Sequence, residues 1–69
     1  MKKLSARNQL KGKIVGVRTG TTTSHVRINI GNGIIITSSI TNEAVAELNL
    51  KNGRTAWAVI KASDVIIGV

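Results

Sequence analysis

The chain contains no cysteine, no proline, no phenylalanine and no tyrosine, and it has one tryptophan, one histidine and three acidic residues. Each shortage closes a class of function. Without cysteine there is no disulfide and no thiolate metal site, and the lone His25 cannot build a zinc site. The missing cysteines also fit a reducing cytoplasm. Three carboxylates and one histidine leave no nucleophile–histidine–acid set. No P-loop or dinucleotide fingerprint is present either, so the chain is not read as an enzyme. A single aromatic ring offers little on which nucleobases can stack, which counts against a nucleic-acid partner. No apolar run approaches the length of a membrane span. After Met1-Lys2-Lys3-Leu4, the polar Ser5-Ala6-Arg7-Asn8-Gln9 stands where a signal peptide needs its apolar region, so a soluble cytoplasmic protein is expected. Lys2 and Lys3 read as a solvated tail. With no proline and no low-complexity tract, residues 1–69 form one domain without an internal boundary.

What is present is positive charge and β pattern. Ten basic residues against three acidic give a formal charge of +7, which favours an anionic partner. Sixty-nine residues bury too little surface to be more than marginally stable alone. Small scaffolds are stapled by disulfides, metals or partner subunits, and here only oligomerisation is left.

Strand signals dominate the chain. Gln9 to Val17 alternates, with Gly12 and Gly16 as candidates for bulges or close backbone approach, and Arg18-Thr19-Gly20-Thr21 reads as a turn. In Thr22 to Ile30, Val26, Ile28 and Ile30 point one way and His25, Arg27 and Asn29 the other. Gly31-Asn32-Gly33 is a hairpin turn. Ile34-Ile35-Ile36 is apolar on both faces, which calls for cover on both sides, one of them from another subunit. Thr37-Ser38-Ser39-Ile40 is expected to end that strand. Thr41 is placed to cap a short helix from Asn42 to about Leu48, with Ile40 and Val45 at staple positions, Glu43 in the first turn and Asn49 in a left-handed C-terminal position. Lys51-Asn52-Gly53-Arg54 is a turn, Thr55 to Lys61 a fourth strand and Val65 to Val69 a fifth. Five strands and one short helix define a mainly β chain, a small Greek-key barrel of OB-like type.

Two clusters can carry chemistry. Ser5 to Asn8 concentrates hydroxyl, guanidinium and amide donors with no carboxylate. A fully deprotonated tetrahedral dianion needs donors only, from backbone N–H groups, hydroxyls and basic side chains. Lys61-Ala62-Ser63 adds an ammonium, a hydroxyl and backbone N–H groups freed at a strand end; Asp64 beside it has to point away from an anion or pair with a cation. Weaker candidates are the hydroxyl-rich Thr21-Thr22-Thr23-Ser24 and Thr37-Ser38-Ser39, and His25 with Arg27. Trp57 reads as a core or interface anchor.

Ser5-Ala6-Arg7-Asn8-Gln9-Leu10-Lys11-Gly12-Lys13-Ile14 resembles the opening motif of the molbindins, the small molybdenum-pterin-binding (Mop) proteins, almost residue for residue. Ala44-Val45-Ala46-Glu47-Leu48-Asn49-Leu50 and Ala58-Val59-Ile60-Lys61-Ala62-Ser63-Asp64-Val65 are similar to the family's helix and closing strands. Asn49 stands where relatives often have glycine and Ala44 where a serine is common. The resemblance implies a TOBE-related OB-like barrel assembled as a homohexamer, a trimer of dimers, with no organic cofactor. It implies molybdate or tungstate held between subunits by Ser5, Ala6 and Arg7 of one chain and Lys61, Ala62 and Ser63 of another, through hydrogen bonds and not by direct metal coordination. A second type of site near the symmetry axis has no residues matched to it. The implied role is intracellular molybdenum storage and homeostasis, with no membrane or nucleic-acid partner. Two rival readings stand beside it: an OB-like nucleic-acid-binding module, and binding of the pterin cofactor itself.

Overall fold

The structure is a computed structural model that describes residues 4–69, so the reading of Lys2 and Lys3 as a tail lies outside the described residues. Four strands, β1 (Asn8–Thr19), β2 (Thr23–Asn29), β3 (Ile35–Thr41) and β4 (Thr55–Ile60), form one antiparallel sheet, and α1 (Asn42–Glu47) lies between β3 and β4. The sheet order is β3-β2-β1-β4. Three hairpin-linked strands with a fourth returning beside the first is Greek-key connectivity, as the sequence pattern suggested. The sheet is curled but open: among the described residues no ladder joins β3 to β4.

The expected fifth strand is not there. Val65–Val69 is irregular, and β4 gives way to a 3-10 turn at Ala62–Asp64. Apolar side chains on both faces describe a segment that has to be covered twice. In one chain β1 already pairs on both sides with β2 and β4, and the turn carries the tail off the remaining edge. Ile66 and Ile67 are consequently 93% and 82% exposed. The strand runs through Thr37-Ser38-Ser39-Ile40 to Thr41, because Thr37 to Thr41 pair with Arg27 to Thr23. Cross-strand hydrogen bonds tolerate this run of hydroxyl side chains.

The alternation read in β2 holds: Ser24, Val26 and Ile28 are buried and His25 and Arg27 exposed. Ile14, Val26, Ile28 and Ala58 form the buried core, with Leu10, Ile36, Ile40, Val45 and Leu50 packed against it. β1 can serve two partners because its register shifts between Ile14 and Gly16, where Val15 bulges out of the β1–β2 ladder. A bulge strengthens local twist, and the twist curls the sheet around this small core.

α1 is six residues long, too short to persist on helix propensity, so its ends hold it. The Thr41 Oγ1 accepts a hydrogen bond from the Ala44 N–H at 3.1 Å. At the other end the Leu50 N–H donates to Val45 O at 3.0 Å and the Asn49 N–H to Ala46 O at 3.1 Å, with Asn49 at φ +51°. This pair of bonds around a left-handed residue is the Schellman arrangement. Thr41→Ala is expected to cost about 1 kcal/mol, measured as a lowered denaturant midpoint with an unchanged slope.

Beneath the core side of the sheet lies an open groove of about 680 Å³, lined by Ile14, Val26, Ile28, Ile36, Leu48, Leu50 and the inward residues of β4.

Candidate functional site

The β1–β4 ladder decides where the two donor clusters lie. Its pairing runs from Lys13↔Thr55 to Asn8↔Ile60. Ser5–Arg7 therefore leads into the ladder at the end where Lys61–Ser63 leaves it. The resemblance drew these clusters from two different chains; register brings both to one end of the same chain. Ser5, Arg7, Lys61, Ala62 and Ser63 are exposed there, and Ala6 is half-buried.

Local hydrogen bonding leaves donors free at this end. The 3-10 turn closes through the Asp64 N–H to Lys61 O at 2.9 Å and the Val65 N–H to Ala62 O at 3.3 Å. The N–H groups of Ala62 and Ser63 come before those bonds, in the position where any helical start leaves its donors without internal partners. Asp64, the nearby carboxylate, sits at the far end of the turn. On the other segment the Gln9 Nε2 donates to Ala6 O at 3.1 Å, and across the ladder the Asn8 Nδ2 donates to Ile60 O at 3.2 Å. Sequence reading placed Asn8 among the donors but assigned neither amide a partner. For Asn8 the signal lay in β1–β4 register, which a single sequence does not display; the Gln9 bond is local, reaching three residues back along the chain.

The hydroxyl-rich candidates divide. Ser24 is 1% exposed, and its Oγ lies 2.6 Å from Asn42 Oδ1, to which it donates. The Asn42 Nδ2 in turn donates to Gly20 O at 3.0 Å and Thr21 O at 3.3 Å. Ser24 therefore ties α1 to β2, Asn42 ties it to the β1–β2 turn, and the Ser24 hydroxyl is closed to any ligand. Thr37 and Ser39 are exposed and Ser38 half-buried, and Thr37 and Ser38 line the groove. His25 pairs directly across from Arg18, and both line a small depression of about 270 Å³ with Thr19, Gly20 and Thr23. The outward face of the sheet bears Lys11, Lys13, Arg18, His25 and Arg27, all exposed. Trp57 lies on that face, 38% exposed, with the Lys11 Nζ 5.6 Å from its ring centroid; it is outside the core of the single chain.

Among the described residues no group of three His, Cys, Asp or Glu side chains converges to hold a metal ion. No helix among them is long and apolar enough to cross a membrane. The chemistry this end of the sheet offers is hydrogen-bond donation and positive charge, suited to an anion held by its oxygens.

A curled Greek-key sheet with one capped helix and a donor-rich ladder end is the architecture of a TOBE domain, and the chain belongs to that family, whose pattern matches residues 4–67. Within it the chain falls with the molybdenum-pterin-binding proteins. It is 49% identical over 67 residues, 97% of each chain, to a probable molybdenum-pterin-binding protein of Haemophilus influenzae. It is 50% identical over 64 residues to molybdenum-pterin-binding protein 1 of Clostridium pasteurianum, covering 93% of this chain and 94% of that one. Solved structures agree in fold. MopII from Clostridium pasteurianum superposes with a TM-score of 0.91 at 46% identity over 97% of this chain and all of the other. The cytoplasmic molybdate-binding protein ModG, with molybdate bound, superposes with a TM-score of 0.94 at 51% identity, covering 99% of this chain and 48% of ModG.

Proposed function

We propose that this protein binds molybdate, or its congener tungstate, at interfaces between copies of itself and serves as a cytoplasmic molybdenum store, without catalytic activity or an organic cofactor. The observation that carries this reading is the near full-length identity to molybdenum-pterin-binding proteins, together with a ladder end at which every candidate ligand group is a donor. Arg7 and Lys61 supply charge; the Ser5 and Ser63 hydroxyls and the backbone N–H groups around Ala6 and Ala62 supply direction. Because both clusters occupy one end of a protomer, an interface formed there sets Ser5–Arg7 of one copy against Lys61–Ser63 of the next.

The assembly is a homohexamer, a trimer of dimers. The open groove and the uncovered Val65–Val69 segment support self-association, as does the need of so short a chain for a staple. ModG, which is about twice as long as this chain and carries molybdate, supports the ligand and the compartment.

Calorimetric titration with molybdate tests the site. A hydrogen bond to a charged group contributes about 1.5–3 kcal/mol, so Lys61→Ala is expected to weaken binding by about tenfold or more. Unaltered affinity in that variant removes Lys61–Ser63 from the site. Sulfate, with shorter bonds, is expected to bind more weakly than molybdate in the same experiment. Metal analysis of the purified oligomer then identifies the ion it carries.

A further inference from the structure

We propose that Asn8 and Gln9 are positioning residues of the oxyanion site, each fixing the backbone N–H of one of its two charged residues; this rests on the reading of the site given above. The Asn8 Nδ2 donates to Ile60 O at 3.2 Å, and the Gln9 Nε2 donates to Ala6 O at 3.1 Å. Ile60 and Ala6 are the residues immediately before Lys61 and Arg7. A trans peptide is planar, with its C=O and the following N–H pointing in opposite directions. A hydrogen bond that holds the Ile60 carbonyl therefore holds the Lys61 N–H pointing away from Asn8. The bond to the Ala6 carbonyl does the same for the Arg7 N–H.

The division of labour follows from strand geometry. Asn8 and Gln9 are consecutive in β1, so their side chains leave opposite faces of the sheet. One reaches across the ladder to the outgoing segment, and the other folds back onto the incoming segment. Asn8 is half-buried and Gln9 exposed. The Asn8 bond lies at the last ladder pair itself, Asn8↔Ile60, and the Gln9 bond lies beyond it, on the incoming segment that the ladder does not pair. Anion binding is selective when its donors are oriented before the ion arrives, since no free energy is then lost in ordering them. The Asn8 carboxamide reinforces that order at the last pair of the ladder, and the Gln9 carboxamide supplies it just outside.

The test uses near-isosteric variants that cannot donate, Asn8→Leu and Gln9→Met, in the full-length protein with molybdate as the ligand, alongside Lys61→Ala. Each amide variant is expected to lose about five- to tenfold in affinity, as for one ordinary hydrogen bond, while the ion-free protein keeps its melting temperature and assembly state. Amide NMR separates positioning from general support. In the wild type, molybdate moves both the Lys61 and Arg7 N–H resonances. In Asn8→Leu the Lys61 response is lost and the Arg7 response kept, and in Gln9→Met the reverse. Wild-type affinity in both variants overturns the proposal. So does loss of both responses together, or a fall in ion-free melting temperature in step with affinity, since either marks a merely structural role. If Asn8→Leu does not fold, Gln9→Met, whose bond is at the surface, decides alone. Lys61→Ala keeps the two ideas apart. Should it bind as the wild type does, the site assignment itself fails; should it lose binding while the amide variants do not, the site stands and the positioning role is gone.

Discussion

Gly12→Ala is expected to destabilise the protein by about 3 kcal/mol, near the top of the range for overpacking a tight interior. That corresponds to roughly 15 °C in melting temperature for a domain of this size. A methyl group built at Gly12 runs into the Asn29 carbonyl oxygen and lies 2.8 Å from Ile28 Cγ2 and 2.9 Å from the Asn29 carbonyl carbon. Two of those atoms are backbone, and the third belongs to a buried core side chain. None can swing aside, so the β1 and β2 backbones have to part where the curled sheet brings them closest. Gly16→Ala provides the contrast. Its methyl meets only the Arg27 Cδ and Cβ, at 3.8 and 3.9 Å, which is ordinary contact. Alanine there also restricts the unfolded chain, so the change is expected to be neutral or stabilising by up to about 1 kcal/mol. Thermal unfolding followed by circular dichroism, at equal protein concentration because any self-association shifts apparent stability by mass action, compares the two. A Gly12→Ala protein melting within a few degrees of the wild type is incompatible with the close crossing described.

These two glycines show what a single sequence discloses. Both were readable as interruptions in an alternating strand, and bulge or close approach was the pair of options for each. The structure gives close approach at Gly12 and marks the bulge beside Gly16, at Val15. Pattern alone cannot assign them, because the deciding atoms belong to β2, at Ile28 and Asn29 for Gly12 and at Arg27 for Gly16. Local chemistry was legible. The Thr41 cap, the left-handed Asn49, the Gly31-Asn32-Gly33 turn and the inward row of β2 all depend on neighbours within a few residues. Ser24 was legible as one hydroxyl in a run of four, a weak donor candidate; its parity with Val26 puts it inside, against Asn42.

The donor clusters were legible as residue types and illegible as geometry. Ser5–Arg7 and Lys61–Ser63 stand more than fifty residues apart, and only the Asn8↔Ile60 pairing shows that they share one end of the sheet. The same pairing exposes the work of Asn8, whose amide looked like one more donor for an anion and is instead donated to a backbone carbonyl, as the amide of Gln9 is locally. The two-sided apolar stretches contained real information that was read too narrowly. Ile34-Ile35-Ile36 and Val65-Ile66-Ile67 announce burial on both faces. A strand is one way to meet that requirement, and within a lone chain it goes unmet: Ile34 is 52% and Val65 46% exposed.

The final segment therefore yields the second large effect: Ile66→Asp combined with Ile67→Asp is expected to break the assembly into smaller species and abolish molybdate binding with it. Val65, Ile66, Ile67 and Val69 present four β-branched apolar side chains to solvent, and burying each contributes about 1.5–3 kcal/mol. The groove, an open volume of about 680 Å³, is walled by the apolar Ile36, Ile40, Leu48, Leu50 and Ile60 over the buried core residues Ile14, Val26 and Ile28. An apolar tail that its own sheet does not cover and an apolar groove that its own tail does not fill are complementary between copies. The tail of a second copy is the occupant this geometry favours. Like charges of +7 per chain oppose association, so the apolar contact has to outweigh that repulsion. Two aspartates replace the gain with the cost of desolvating two carboxylates in a hydrocarbon groove. Light scattering coupled to gel filtration reads the assembly state, and calorimetry reads the ion. If the double variant keeps the wild-type mass, the tail does not close the groove. If it separates into smaller species yet still binds molybdate with wild-type affinity, the anion site is complete within one chain, and Ser5–Arg7 and Lys61–Ser63 hold the ion from the single ladder end they share.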